Sequence, residues 1–264
     1  MEGGAAMKDF SDQFPSKDKS FLDICKEFLE TIERCEKERM EQAGIMIAER
    51  ILQGEIVYVF GCGGHSWVPP MDMFCRAGGL VPICVGMDVS SSTLTGGFRG
   101  VFVERVPGYM RALMKYYRIK KGDVVLIFNN VGVNSMVIDA ALECQKRGAK
   151  SIGIAGSAWQ NQLGADAPVR HPSKKNLRDV VDVFIDDHNP MGDTVLKLKG
   201  MDHAIAPIST ITDGYIVRRI EIAAVEEILR RGKTPPVWVS ANSPDGDRIN
   251  EEYIERYFYK IKTM

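Results

Sequence analysis

The chain alternates short runs of apolar residues with longer segments in which apolar residues recur every three or four positions. Short apolar runs bounded by turn residues are typical of buried strands, and the longer period is typical of helices that bury one face. Strands that alternate with helices form a parallel sheet with helices on both faces. The pattern predicts an α/β fold, a three-layer α-β-α sandwich. Its five parallel strands are predicted at residues 55–60, 81–85, 123–128, 150–155 and 182–185.

A long amphipathic segment precedes the first strand. Apolar residues recur at spacings of four and three from Phe21 to Cys35, and the pattern resumes up to Leu52 before Gly54. One long helix or two consecutive helices are therefore predicted as an N-terminal extension, with an apolar face buried on the domain or on a second subunit. Residues 1–15 are predicted to be a mobile tail, and residues 16–264 a single domain. The other main helices are predicted at residues 72–77, 108–118, 135–147, 209–231 and 250–261.

Composition and charge narrow the class of protein. The 264 residues include 34 basic and 35 acidic side chains, a balance that argues against a nucleic-acid-binding protein. No apolar run is long enough to cross a bilayer, and the N-terminus lacks the pattern of a signal peptide. The six cysteines form no C-x-x-C pair and lie at no metal-finger spacing, which predicts reduced thiols. We expect a cytoplasmic protein with no cofactor, metal, membrane or nucleic-acid partner.

A glycine-rich turn follows the first predicted strand. Such a turn exposes backbone N–H groups and lets a ligand approach the main chain closely, although it can also be a plain strand-to-helix turn. Gly63, Gly64 and Ser66 are the predicted ligand-binding residues here. His65 is the first candidate for an acid or base, and the alternative is a histidine that only hydrogen-bonds the backbone at a helix start. The G-x-G-x-x-G dinucleotide fingerprint and the phosphate-loop lysine are both absent.

An asparagine-rich turn follows the third predicted strand. In parallel sheets ligands bind beyond the carboxyl ends of the strands, so both turns are predicted to border one pocket. The amides of Asn129 and Asn130 are suited to sugar hydroxyls, and Gly132 can supply a backbone N–H. Asn134 is a candidate ligand too, although capping of the following helix is the role we expect of it taken alone.

Several short motifs resemble the SIS (sugar isomerase) domain family. They run in register from residue 21 to residue 261 and include G-C-G-G-H-S at 61–66, residues 73–80, Glu104-Arg105, Gly108-Tyr109, H-P-S-K at 171–174, Asp182, Asp186, Gly192-Asp193, Ser209-Thr210 and residues 235–242. The resemblance implies a flavodoxin-like parallel sheet, a homodimer and a sugar phosphate bound at the strand ends. It also implies either an isomerase, a sugar ether lyase or a sugar-sensing module.

The sequence departs from the family pattern where the phosphate is held. Hydroxyl side chains and an arginine are expected after the third strand, but Asn129, Val131 and Val133 stand there. Hydroxyls and arginine are better phosphate ligands than valine, so a free sugar is an alternative to a sugar phosphate. A Glu-Glu pair of the family is represented by Met71 and Asp72.

Aldose–ketose isomerisation needs a group that moves a proton between C2 and C1 of the sugar. Histidine and carboxyl groups suit this step when their pKa lies near the working pH. The candidates are His65, Asp72, Glu104 and His171, and Glu104 can alternatively pair with Arg105. The resemblance also implies that His171 can reach across to the partner subunit.

Two further acidic positions lie after the fifth strand. Asp193 is predicted either to bind sugar hydroxyls or to close a turn. Asp186 and Asp187 are expected to raise the pKa of His188. The function predicted is a sugar or sugar-phosphate isomerase, with a non-catalytic sugar-binding module and an ether lyase as alternatives.

Overall fold

The structure is a computed structural model that describes residues 9–86 and 88–264. Its main sheet has five parallel strands in the order β2-β1-β3-β4-β5, which confirms the predicted α/β fold. Because the chain reverses direction across the sheet between β1 and β3, a ligand crevice is expected at their carboxyl ends. The strands are β1 (Val57–Gly61), β2 (Ile83–Val85), β3 (Val124–Phe128), β4 (Lys150–Ala155) and β5 (Val183–Asp186).

Helices cover both faces of this sheet, as the three-layer prediction requires. Successive side chains of β3 point to opposite faces: Leu126 packs in the core on the α1 and α7 side, whereas Val125 packs on the α4, α5 and α8 side. The helices are α1 (Phe21–Leu52), α2 (Val68–Met73), α3 (Gly97–Val103), α4 (Tyr109–Tyr116), α5 (Ser135–Arg147), α6 (Ser157–Gln162), α7 (Ser209–Arg230) and α8 (Gly246–Tyr257). A small antiparallel pair, β6 (Thr194–Leu196) and β7 (Ile205–Pro207), follows β5.

The N-terminal extension is one continuous helix. The apolar face of α1 packs mainly against α7 of the same chain, so the domain itself buries it. Ahead of it, residues 9–15 of the predicted tail are packed: the rings of Phe10 and Phe14 lie 4.9 and 4.7 Å from the ring of Phe28. Residues 1–8 of that tail lie outside the described residues.

One predicted helix is displaced along the chain. The prediction placed it at residues 72–77, but α2 occupies Val68–Met73. Pro69 and Pro70 are tolerated in the first turn, where backbone N–H groups need no helical partner. Phe74 is extended and Cys75 has a φ of 47°, so the helix ends before the predicted segment is reached. Across the described ranges, no helix is long and apolar enough to cross a membrane.

Candidate functional site

The glycine turn after β1 and the asparagine turn after β3 lie side by side at the carboxyl edge of the sheet. The Cys62 backbone N–H donates to Phe128 O at 2.9 Å. The side-chain Nδ2 of Asn129 donates to Cys62 O at 2.5 Å. These two hydrogen bonds join the turns, so the side chains that follow them face a common space.

That space is a small polar cavity of about 170 Å³. Pockets for drug-sized ligands measure roughly 300–1,000 Å³, so this polar cavity suits a smaller ligand. Neither lysine nor arginine occurs among its lining residues. The lining residues are His65, Ser66, Pro69, Glu104, Asn129, Asn130, Val131, Asp193, Ser209, Thr210 and Asp213.

Glu104 reaches the polar cavity from the C-terminal end of α3. Its Oε1 accepts a hydrogen bond from Asn134 Nδ2 at 2.8 Å. Burial raises the pKa of Glu104 to about 7, and this outweighs the opposing effects of Arg105, the Gly64 backbone N–H and Asn134. A carboxyl group with a pKa near 7 can both take and return a proton at neutral pH.

Gly63 is the position where the turn passes closest to this carboxyl group. Its φ is 140°, a conformation that residues with a side chain rarely adopt. A Cβ at Gly63 would lie 2.2 Å from Glu104 Oε2 and 3.2 Å from Asn129 Nδ2. The glycine is therefore required by the packing of Glu104 under the turn, a more specific role than the open backbone expected from the sequence.

Asn134 does not have the role expected of it as a helix cap. It stands at the N-cap position of α5 but makes no side-chain capping hydrogen bond. Its Nδ2 donates to Glu104 instead, because the end of α3 lies directly against the start of α5, where Met136 N also donates to Glu104 O at 2.9 Å. Asn134 thus positions Glu104.

Two backbone N–H groups of the asparagine turn that could bind an anion are already hydrogen-bonded within the chain. Asn129 Oδ1 accepts from Val131 N at 3.1 Å and from Gly132 N at 2.7 Å. The N–H of Gly132, which the sequence predicts to bind a ligand, is therefore engaged within the chain. The φ of 67° and the close approach of Gln160 explain why a glycine stands at this position.

Asp193 likewise accepts hydrogen bonds from backbone N–H groups, at the start of α7. Its Oδ1 accepts from Ser209 N at 2.9 Å and from Ile208 N at 3.2 Å, and its Oδ2 accepts from Ser209 Oγ at 2.7 Å. The sequence leaves two roles for Asp193, to bind sugar hydroxyls or to close a turn. The structure shows that it holds the local backbone, and its side chain also borders the polar cavity. Burial raises the pKa of Asp193, and the nearby His65 opposes that rise.

Two buried carboxyl groups that the sequence analysis did not select lie at this end of the sheet. Asp213, on α7, lines the polar cavity, and Asp187 follows β5. Burial raises the pKa of both groups well above the ordinary value, and Asp213 adds to the effect on Asp187. The sequence contained a signal that Asp213 is buried, since this residue falls on the face of α7 that also carries buried Ile216 and Val217.

Asp72 and His171 are not among the residues that line the polar cavity. Asp72 forms ion pairs with Arg76 and Arg218, and it borders a neighbouring, mainly apolar cavity of about 410 Å³ that Gly64 also lines. His171 Nε2 lies 3.4 Å from Asp139 Oδ1, and its Nδ1 lies 2.7 Å from Ser173 Oγ.

His188 lies on the α1 side of the sheet edge. Burial lowers its pKa, but the Glu36 carboxylate at 3.3 Å and Asp186 raise it, and the net pKa is raised. The direction expected from the sequence is confirmed, but Glu36 of α1 contributes more than Asp186, and Asp187 is not one of the main causes. Within 9–86 and 88–264, no group of three or more His, Cys, Asp and Glu side chains could hold a metal ion.

Comparison with known proteins gives one family match and a set of close relatives. A family model described as the SIS domain matches residues 20–156. A UPF0309 protein of Listeria innocua is 33% identical over 245 residues, which cover 93% of this chain and 97% of the relative. A UPF0309 protein of Geobacillus kaustophilus is 31% identical over 238 residues, which cover 90% and 93%.

Solved structures are less similar. The structure of a phosphoheptose isomerase from Francisella tularensis matches with a TM-score of 0.47 and 14% identity, over 78% of this chain and 95% of that chain. A putative phosphosugar isomerase from Bacteroides fragilis matches with a TM-score of 0.43 and 16% identity, over 90% and 97%. Likeness at this level carries no argument about substrate or activity.

Proposed function

The chain belongs to the SIS domain family, together with the UPF0309 proteins, and on this premise we propose that it binds a sugar in the polar cavity and isomerises it between aldose and ketose. The observation that carries the proposal is Glu104, a carboxyl group with a pKa of about 7 at the wall of a polar cavity. Hydroxyl and amide groups of Ser66, Asn130 and Thr210 border the same space and are suited to sugar hydroxyls.

In the proposed reaction Glu104 moves a proton between two neighbouring carbons. The Glu104 carboxylate takes the proton from C2 of the aldose, and the electrons of that C–H bond form the C1–C2 double bond. The carbonyl electrons move to O1, which takes a proton from His65. The enediol then returns its O2 proton to His65 as C2=O forms, and Glu104 delivers its proton to C1. Protons and electrons balance without a cofactor.

The surroundings of Glu104 suit this shuttle. Asn134 Nδ2 and the Gly64 N–H hold the carboxyl group in place, and Gly63 lets it pack directly under the turn. A base held by fixed donors needs little reorganisation before it reacts. Asn134 and Gly63 are therefore positioning residues in this proposal, whereas Glu104 and His65 are the catalytic ones.

Solvent hydrogen exchange at C2 tests the proposal. The full chain is incubated in deuterated water with aldoses, ketoses and their phosphates, and loss of the C2–H signal is followed by NMR. We expect exchange with at least one sugar, and Glu104→Gln is expected to slow it by about 100- to 10,000-fold, the usual contribution of a general base.

Exposed Glu255 in α8 provides a matched control. Glu255→Gln should leave the exchange rate unchanged. Binding of a sugar without C2 exchange would replace the isomerase proposal with the non-catalytic sugar-binding alternative, and cleavage products in the same samples would favour the lyase. If no sugar binds or exchanges, sugar chemistry at this site is excluded.

We also propose that the chain forms a homodimer. Phe98 and Phe102 lie four residues apart on α3 and are 79% and 66% exposed, so they form an apolar patch. Leu94, which is 78% exposed, precedes this helix and lines the larger cavity. Exposed apolar patches of this kind mark interaction surfaces. Light scattering at micromolar concentration should give twice the chain mass, and Phe98→Glu should give monomers while Tyr259→Glu, also exposed, should not. A monomeric parent chain would contradict this proposal.

We further propose that the chain works in a reducing compartment, as expected of a cytoplasmic protein. All six cysteines are free thiols in the structure. Burial raises the pKa of Cys62, in the glycine turn, and of Cys144, so these thiols are poorly suited to disulfide exchange. When the chain isolated from cytoplasm is unfolded, thiol titration should find six reactive groups.

A further inference from the structure

The lining of the polar cavity carries a buried carboxyl group with no basic residue other than His65 beside it. Asp213 is 5% exposed and lines the cavity. In the part of the chain that is described, its Oδ1 has no hydrogen-bond partner, and the same holds for Oδ2 of Asp187, which is fully buried. A buried carboxyl group without a donor is costly to a fold, so the Asp213 side chain in the cavity lining points to a donor supplied from outside.

The other charged groups of the polar cavity are also acidic. Glu104 and Asp193 line its wall with Asp213, and His65 is the one residue of the lining that can become a cation. These carboxyl groups oppose each other's ionisation: Asp193 adds to the raised pKa of Asp213, after burial itself. A cationic ligand would relieve this repulsion and favour the ionised form of Asp213.

An anionic ligand would meet neither lysine nor arginine in this lining. A phosphate is held in proteins by backbone N–H groups, lysine and arginine. In this site the N–H groups of Val131 and Gly132 donate to Asn129, and that of Ser209 donates to Asp193. The protein's own oxygens thus engage these three N–H groups, and the cavity lining adds neither lysine nor arginine.

We infer that the polar cavity takes a sugar with a free primary amino group and no phosphate, and that the ammonium of this sugar donates to the carboxylate of Asp213. This inference rests on the proposed function, because it names the class of sugar for the same site. An ammonium has three donors, which suits Asp213 together with the neighbouring oxygens of Thr210 and Asn130. A sugar hydroxyl could donate to Asp213 but would favour its ionised form less than an ammonium does.

Calorimetric titration of the full chain tests this with matched ligands. D-Glucosamine, D-galactosamine and D-mannosamine are compared with the parent hexoses, the N-acetyl derivatives and the hexose 6-phosphates. At least one amino sugar is expected to bind about 10- to 100-fold more tightly than its parent hexose and its N-acetyl form, the value of one hydrogen bond to a charged group. The corresponding hexose 6-phosphate is expected to bind more weakly than the amino sugar.

Asp213→Asn should remove this preference, because asparagine keeps the shape and loses the charge. Asp247→Asn, at an exposed position of α8, should keep it, and circular dichroism confirms that both variants fold. Tighter binding of a phosphorylated or neutral sugar, or an unchanged preference in folded Asp213→Asn, would overturn the inference and leave the proposed function standing. If no sugar of any class binds, the proposed function fails and the inference with it.

Discussion

Replacing Glu104 by glutamine should change how the stability of the protein depends on pH. Burial raises the pKa of Glu104 from the ordinary 4.5 to about 7. Between these values the folded chain binds more protons than the unfolded chain, so the free energy of unfolding falls as pH rises. Because each tenfold change in proton affinity is worth about 1.4 kcal/mol, ionised Glu104 costs the folded state up to about 3 kcal/mol above pH 7.

The assay is urea unfolding of the parent chain and of Glu104→Gln at intervals from about pH 5 to about pH 8. Glutamine cannot ionise, so the difference in unfolding free energy between the two proteins should shift toward the variant by about 2–3 kcal/mol over this range. Other buried carboxyls such as Glu221, whose pKa burial also raises to about 7, affect both proteins equally and cancel in the difference.

At every pH glutamine also exchanges one acceptor oxygen for an amide donor, near the Gly64 N–H and Asn134. That change costs a constant amount and does not alter the pH dependence. Exposed Glu255→Gln is the control and should follow the parent curve. A difference between parent and Glu104→Gln that stays constant from pH 5 to pH 8 would show that Glu104 titrates normally, and the reasoning on its role as a base would fail.

Two further substitutions test the packing that supports the site and the sheet. Gly63→Ala places a Cβ 2.2 Å from Glu104 Oε2 at a φ of 140°, so a loss of about 1–3 kcal/mol in unfolding free energy is expected, whereas Gly97→Ala, with open space around it, should be near neutral. Unchanged stability of Gly63→Ala would argue against the close approach. Arg50→Met leaves buried Asp123 without the guanidinium that lies 2.5 Å away and should cost about 3–5 kcal/mol in urea unfolding. Recovery of most of that loss in the double variant with Asp123→Asn is expected, and no recovery would refute the ion-pair explanation.

Most of the fold could be predicted from local patterns. Helix α5 and strand β4 have the predicted bounds, because each is bounded by residues with clear preferences, such as Gly148 in the left-handed conformation at the end of α5. The positions of α2 and of the β6–β7 pair could not be predicted, since a run of six or fewer residues gives too little periodicity to separate helix from turn.

The candidate site could be predicted only in part. The side chains of His65 and Asn129 come together because the carboxyl ends of β1 and β3 adjoin in a parallel sheet. Asp72, in contrast, pairs with Arg218, which is 146 residues away in the chain, and does not line the polar cavity. Asn134 turns to Glu104 because α3 ends against α5, a contact between segments that no local pattern encodes.

The sequence by itself determined the sheet, the longer helices that cover it and the edge at which a ligand can bind. These follow from short-range apolar periodicity and from the general geometry of parallel strands. Only the tertiary structure decided the charge and protonation of the site. The pKa of Glu104 and the unpaired oxygen of Asp213 depend on burial by α3 and α7, and burial is a property of the packed chain rather than of any segment.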